Sequence, residues 1–368
     1  MQVFGSYNYE DFLFVFRCLL VFYILFGTFV LKLLMNRNIS FIKNDKGLLI
    51  SFVFILILLV GTRERNIGTD TINYFNFYFI PITTQVRGYF NVFTRIDSDF
   101  LFEVLVSFSY WHNNFKIFLL MTATLMNVSL YMFVRKFTEY GKKGSSLILF
   151  LTLASSFSFM SIEINILRNG LSICFILLSL YSILEKDIKM FIIYFIVAYL
   201  FHRTAVIPFI LILVVNLSEK VDIKYFVAFY VLAILGSLVG IGFHSITFLS
   251  GLGSEDLQGL SYVGETSYGV GFRYDFVVYN TFFLALFLKF TNWNIRDTFL
   301  IKYYTLGSVV FFFNFYIPFS DRFGLYSWII IPLLLFNTIN EAFPERKIFI
   351  STFVLIGFYI LNNIILFP

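Results

Sequence analysis

Charge is what this sequence has least of. Only 13% of its 368 residues are Asp, Glu, Lys or Arg, while 59% are hydrophobic. A soluble domain carries about 25% charged residues, so a soluble globular protein is excluded. Cysteine is almost absent: Cys18 and Cys174 both lie inside apolar runs, which argues against a disulfide framework and against metal ligation. The three histidines, His112, His202 and His244, show no ligand spacing such as HExxH. There is no P-loop, no GxGxxG after a strand and no nucleophile elbow, so neither coupling to bound ATP nor a resident cofactor is expected. The net charge of +5 is not gathered on one soluble face, which argues against nucleic acid. Internal repeats, inverted symmetry, a soluble domain and low-complexity tails are also missing.

What is present is long apolar runs, recurring from Phe12 to Phe367 with a mean hydropathy of +0.84. An all-α, polytopic membrane protein follows, read as a single integral membrane domain over 1–368. With about 20 apolar residues needed per span, spans are predicted near 12–34, 43–62, 115–135, 145–162, 168–184, 189–201, 204–218, 224–246, 274–290, 299–317, 324–340 and 347–367. The total is about twelve, with 189–201 and 204–218 also readable as a re-entrant pair. The first run lacks a small-residue cleavage site and is expected to stay as a span. Phe100–Trp111 is too short to cross and is expected to be an extracytoplasmic re-entrant or interfacial helix.

The basic residues divide by type. Alternate loops carry mostly lysine, among them Lys32, Lys43, Lys46, Lys142, Lys143, Lys186, Lys189, Lys220, Lys224, Lys289 and Lys347. By the positive-inside rule these face the cytoplasm, which puts both termini outside. The other side holds Arg17, Arg63, Arg65, Arg87, Arg95, Arg168, Arg203, Arg273 and Arg322, with Lys116 the one lysine. Topology disfavours cations there. Arginine grips phosphate with a fixed multi-donor fork, so the set points to an anionic ligand. Alternatively, individual arginines pair with Asp70, Asp97, Asp99, Glu103, Glu163, Asp275 or Asp321.

Four clusters on this side could carry chemistry. The polar stretch 63–78, RERNIGTDTINYFNFY, follows an apolar run. Gly68 permits a tight turn that could face Thr69 and Asp70 to a cavity, near Arg63, Arg65 and Tyr74; otherwise Asp70 caps the next helix. Glu103 lies on the short helix 100–111, either paired with an arginine or acting as a base. Glu163 and Arg168 mark one junction between spans, and His202 with Arg203 the next; an arginine at a span mouth reads as functional, whereas a lone histidine is commonly only packed. In 321–326, DRFGLY, a helix starting near Asp321 would put Arg322 and Tyr326 on one face. The outer segments 63–114 and 249–273 are the longest. The second, rich in Gly, Ser and Tyr, suits either a sugar-binding surface or a plain connector.

The ordered set Arg63, 68–70 (GTD), Tyr74, Glu103, 167–169 (LRN), 201–202 (FH), Arg322 and Tyr326 resembles the EpsG-like family of bacterial polysaccharide polymerases, relatives of Wzy-type O-antigen and capsule polymerases. The likeness spans nearly the whole chain. Asn169 departs from the glutamine common after the family's arginine, and 249–273 matches nothing in it. The resemblance implies a metal-independent glycosyltransferase in the bacterial cytoplasmic (inner) membrane. It would move a growing glycan from undecaprenyl pyrophosphate onto an incoming lipid-linked repeat unit of O-antigen, capsule or exopolysaccharide, inverting the anomeric carbon. Arg168 and Arg322 would hold the pyrophosphate with Arg63 or Arg203 assisting. Asp70, slightly favoured, Glu103 or His202 would deprotonate the acceptor, and Tyr74 and Tyr326 would donate hydrogen bonds. Implied partners are membrane lipids and the pathway's chain-length regulator and flippase. A flippase of lipid-linked oligosaccharides, an O-antigen ligase or a membrane acyltransferase is the rival reading.

Overall fold

The computed structural model describes residues 8–36, 41–80, 99–140, 144–242, 270–342 and 347–366. They form helices, with no strand among them. Among the described residues five helices are long and apolar enough to cross a membrane: Tyr9–Leu33, Phe115–Glu139, Leu167–Leu184, Asp321–Asn340 and Ile348–Ile365. Ser146–Ala154 and Phe157–Asn165 make a sixth if taken as one broken span, bent by 78°. The expected count of about twelve is therefore not confirmed among the described residues. Several apolar helices are too short: Ile188–Phe201 has 14 residues, about 21 Å, against a hydrocarbon core of about 30 Å. Arg203–Leu217 and Ile223–Leu238 are short in the same way, whereas Ile295–Phe313 has 19 residues but carries Arg296, Asp297 and Lys302.

The described residues divide into two compact units, 1–209 with 343–368, and 210–342. The first contains α1 (Tyr9–Asn36), α2 (Phe41–Gly61), α3 (Thr71–Tyr74), α4 (Phe100–Trp111), α5 (Phe115–Tyr140), α6 (Ser146–Ala154), α7 (Phe157–Met160), α8 (Leu167–Leu184) and α9 (Ile188–Phe201). Near the chain's end α16 (Lys347–Ile360) returns to pack on α1 and α6. The central layer runs α2 against α5, α5 against α8 and α8 against α9, with α4 laid on α5 and α9.

Serines break the fourth expected span. Ser155 donates to the Leu151 carbonyl at 2.7 Å, and the Ser156 and Ser158 hydroxyls meet at 2.9 Å. Such local bonds compete with the helical ladder. A bend frees backbone groups that lipid cannot satisfy; here Asn363 donates to the Ser155 carbonyl at 2.8 Å. Beyond the bend, α7 widens into the π-helical turn Ser161–Asn165, and Ile166 (φ −97, ψ 56) leaves the helical region. The chain then restarts as α8, with Arg168 in its first turn.

The two ends of α2 differ in chemistry. Near its start, the buried Asp45 accepts from the Ser145 hydroxyl at 2.8 Å and from Arg135 at 3.4 Å. Just past its end stand Arg63 and the exposed Glu64, which is bonded to Lys116 at 2.8 Å.

In the second unit the core helix α13 (Ile295–Phe313) packs on α11 (Ile223–Leu238), α12 (Tyr274–Phe290), α14 (Asp321–Trp328) and α15 (Ile331–Ala342); α10 (Val206–Leu217) leads into it. Asp297, 1% exposed, accepts from Asn294 Nδ2 at 2.7 Å and from Asn337 Nδ2 at 2.6 Å. A buried carboxylate needs such donors. Gly307 lets α14 approach: a Cβ there would lie 3.3 Å from the Ser327 backbone nitrogen.

Candidate functional site

The first unit gathers its polar side chains around Asp99. This residue stands directly before α4, and its carbonyl accepts from the Glu103 amide at 3.1 Å. Its side chain is 6% exposed. Arg168 Nη1 donates to Asp99 Oδ2 at 2.7 Å. His202 Nδ1 lies 3.1 Å from the same oxygen and 3.3 Å from Oδ1. The Arg203 amide donates to Oδ1 at 3.2 Å. One carboxylate thus ties together the starts of α4 and α8 and the end of α9. Burial alone would raise the Asp99 carboxyl. The hydrogen bond and charge of His202 together with Arg168 outweigh it and hold the group below the usual carboxylate range.

Aromatic rings wall this cluster. The Arg168 guanidinium lies 5.2 Å from the Tyr78 ring centre and 6.0 Å from that of Phe102, within cation–π range. Tyr74, buried at 6%, packs on Phe102 at 5.3 Å. Arg168 and His202 are each 17% exposed, so both keep access to solvent or ligand while Asp99 does not.

A latch holds the start of α8. Gly68 has φ +96, a conformation side chains rarely adopt. The turn it makes carries Thr69, whose amide donates to Asn165 Oδ1 at 2.9 Å, and Thr71, whose hydroxyl donates to the Ile164 carbonyl at 2.7 Å. Arg63, 2% exposed, donates to the Val60 carbonyl at 2.7 Å and to Thr71 Oγ1 and the Ile164 carbonyl at 3.4 Å each. Burial pulls its guanidinium down to about 10, against the Glu163 and Tyr74 charges that push it up, so it remains a cation at neutral pH. Glu163, with no exposed surface, accepts from Asn127 Nδ2 at 3.0 Å. A Cβ on Gly68 would fall 2.6 Å from the Ile164 carbonyl oxygen. Gly68→Ala should therefore add about 1–3 kcal/mol of backbone strain and lower the thermal unfolding midpoint in detergent. Gly357→Ala, where a Cβ meets nothing within 4 Å, should leave it unchanged.

The residues singled out from the sequence thus separate. Arg168, His202 and Arg203 come together on Asp99. Tyr74 lies beside them as part of the aromatic wall. Arg63 is buried among backbone carbonyls. Asp70, half-buried, occupies the N-cap position of α3 without a capping side-chain bond. Glu103, also half-buried, is one turn along from Asp99 on α4. Arg322 and Tyr326 belong to the second unit. There the helix does begin at Asp321, Arg322 lies 4.8 Å from the Phe319 ring centre, and Tyr326 is buried at 3%. Arg87, Arg95, Asp97 and most of the 249–273 segment lie outside the described residues. Asp99 stood in the sequence only as one of several acids available to an arginine; its place before an apolar helix was the signal for more.

The EpsG family model matches residues 46–367, most of the chain. The chain belongs to the EpsG family. It takes in both clusters of the first unit and the second unit whole. As an EpsG-like polysaccharide polymerase family member with several apolar helices, the chain is a multi-pass membrane protein of glycosyltransferase-like type. No curated protein and no solved structure matches it.

Proposed function

We propose that this EpsG-family protein polymerises lipid-linked oligosaccharide repeat units. It moves a growing glycan from undecaprenyl pyrophosphate onto the sugar of an incoming unit, at the outer face of the bacterial cytoplasmic membrane. The observation that carries the proposal is the Asp99 carboxylate bonded to both Arg168 and His202. A carboxylate on Nδ1 fixes the tautomer and orientation of the imidazole and assigns the basic role to Nε2. An arginine bonded through Nη1 alone keeps further donors for a phosphate.

The chemistry runs in one displacement. His202 Nε2 takes the proton of the acceptor hydroxyl as its oxygen attacks the anomeric carbon. The bond from that carbon to the pyrophosphate oxygen breaks, and the pair of electrons leaves with the diphosphate. Arg168, with the Arg203 side chain, meets the charge that develops there, and Asp99 stabilises the imidazolium. Attack opposite the leaving group inverts the anomeric carbon. His202, rather than Asp70 or Glu103, is the base in this scheme. The half-buried Tyr78 offers a ring face suited to sugar, held in place by the fully buried Phe102. Arg322 and Tyr326 remain proposed ligands of the pyrophosphate.

Arg168→Ala should lower polymer formation about 10²-fold, leaving single repeat units on the cell surface when surface glycan is run on a gel. A normal long-chain ladder from stably expressed variant would defeat the assignment. Loss of all surface glycan, single units included, would instead point to a flippase. Purified protein that needs a second class of acceptor besides lipid-linked units would be a ligase.

A further inference from the structure

The proposed displacement uses the ring of Tyr78 and leaves its hydroxyl without a role. Helix α3 runs on into the π-helical turn Phe75–Phe79, a wide turn of the kind found at functional sites. Its aromatic side chains form two pairs, each spaced one turn apart. Phe75 and Phe79 stack on each other at 5.7 Å, and both meet Phe115 of α5, at 5.1 and 5.4 Å. That pair holds the turn on α5. The other pair, Tyr74 and Tyr78, faces the Asp99 cluster. Their rings are 5.9 Å apart, and each packs on Phe102 of α4, Tyr74 at 5.3 Å and Tyr78 at 5.6 Å. Tyr74 is closed in at 6% exposed, whereas Tyr78 is half-buried. Of the two, Tyr78 is the one a ligand can reach.

Burial pushes the Tyr78 hydroxyl above the ordinary phenol value; the Arg168 charge opposes this, and the Asp99 and Glu103 charges add to it. The hydroxyl therefore stays protonated at neutral pH, a donor and not a base. The Arg168 guanidinium lies 5.2 Å from the ring centre, so one diphosphate can meet both side chains. We propose that Tyr78 is a catalytic residue that touches both sides of the bond that breaks: its ring carries the sugar joined to the diphosphate, and its hydroxyl donates to the diphosphate oxygen that leaves. This rests on the polymerase reading and deepens it. As the bond from the anomeric carbon to that oxygen breaks, the electron pair stays on the oxygen, and the hydrogen bond strengthens as charge grows there. The proton stays on Tyr78, because a phenol is a far weaker acid than a diphosphate.

Farnesyl diphosphate is the probe, a short polyprenyl diphosphate in place of the leaving carrier. Its binding to the intact purified protein in detergent is measured by titration calorimetry. Tyr78→Phe keeps the ring and removes the hydroxyl. It should leave the unfolding midpoint without ligand unchanged and weaken farnesyl diphosphate about tenfold, the low end for a hydrogen bond to a charged group. Its affinity for farnesol, which lacks the diphosphate, should match wild type. In cells the same variant should make correspondingly less long-chain polymer while single repeat units still reach the surface. Unchanged affinity for farnesyl diphosphate in Tyr78→Phe, or an equal loss for farnesol, would overturn the proposal and leave the polymerase reading standing on Arg168 and His202. If instead Arg168→Ala binds farnesyl diphosphate as tightly as wild type, no diphosphate is held at this cluster, and both readings fall.

Discussion

Asp99→Ala is expected to abolish polymer while single repeat units still reach the surface. The substitution removes the common anchor of Arg168, His202 and the Arg203 amide. His202 then loses the group that fixes its tautomer and stabilises its charged form, and general base catalysis contributes about 10²–10⁴-fold. The half-buried Arg168 loses its counter-charge at the same time. Breaking a buried pair by deleting one partner costs about 3–5 kcal/mol, and water access at Arg168 places this case near the low end. Asp99→Asn separates the two effects. It keeps shape and one acceptor oxygen but not the charge, so expression should stay near wild type while the glycan ladder is lost. A full ladder from both variants would remove Asp99 from the chemistry. The pH dependence has a definite sign. Because the folded carboxyl is held below its usual value, its stabilising contribution is complete above about pH 4. That contribution is lost only as the pH falls through the lower folded value. An acid limb of activity above pH 5 must therefore belong to another group.

Much of this arrangement could be read in advance, for reasons that differ from residue to residue. Helices formed where apolar runs were long, and α4 took the bounds Phe100–Trp111 expected of it. The helix at Asp321 began at the acid that favours a helix start. Span number was not legible, because hydropathy marks a short apolar helix of 14 residues as readily as a crossing one. The break after Ala154 was visible only as consecutive serines, whose effect depends on whether Asn363 arrives to satisfy the carbonyl they free. The expectation that arginine gathers on one side of the membrane singled out Arg168 and Arg203, but not which acid would meet them. Asp99 and Arg168 are 69 residues apart, and no local pattern encodes a pairing at that range. The same limit explains Arg63 and Gly68. They attracted attention as a polar stretch beside a span, whereas the structure spends both on docking the 68–71 turn against Ile164 and Asn165.

That docking makes Arg63→Ala the substitution with the largest expected effect on stability. Arg63 donates to the Val60 and Ile164 carbonyls and to the Thr71 hydroxyl, and it is the cation whose charge acts on Glu163. Alanine leaves Glu163 in the interior with Asn127 Nδ2 as its donor. The expected loss is about 1–3 kcal/mol for each buried group left unmet, seen as a sharp fall in the detergent unfolding midpoint and in membrane yield. Electrostatics and backbone bonding can be told apart by removing both charges. Arg63 and Glu163 form no direct ion pair among the described residues, and the Arg63 charge acts on Glu163 across the interior. Arg63→Met with Glu163→Met should therefore regain only the share owed to leaving Glu163 without that charge. What it cannot regain is the share owed to the carbonyls of Val60 and Ile164. If the double variant is no more stable than Arg63→Ala, the backbone bonds alone hold the latch. If it recovers nearly to wild type, the guanidinium is there chiefly to neutralise Glu163. In either case the start of α8 moves with the latch, and Arg168, one residue into that helix, moves with it.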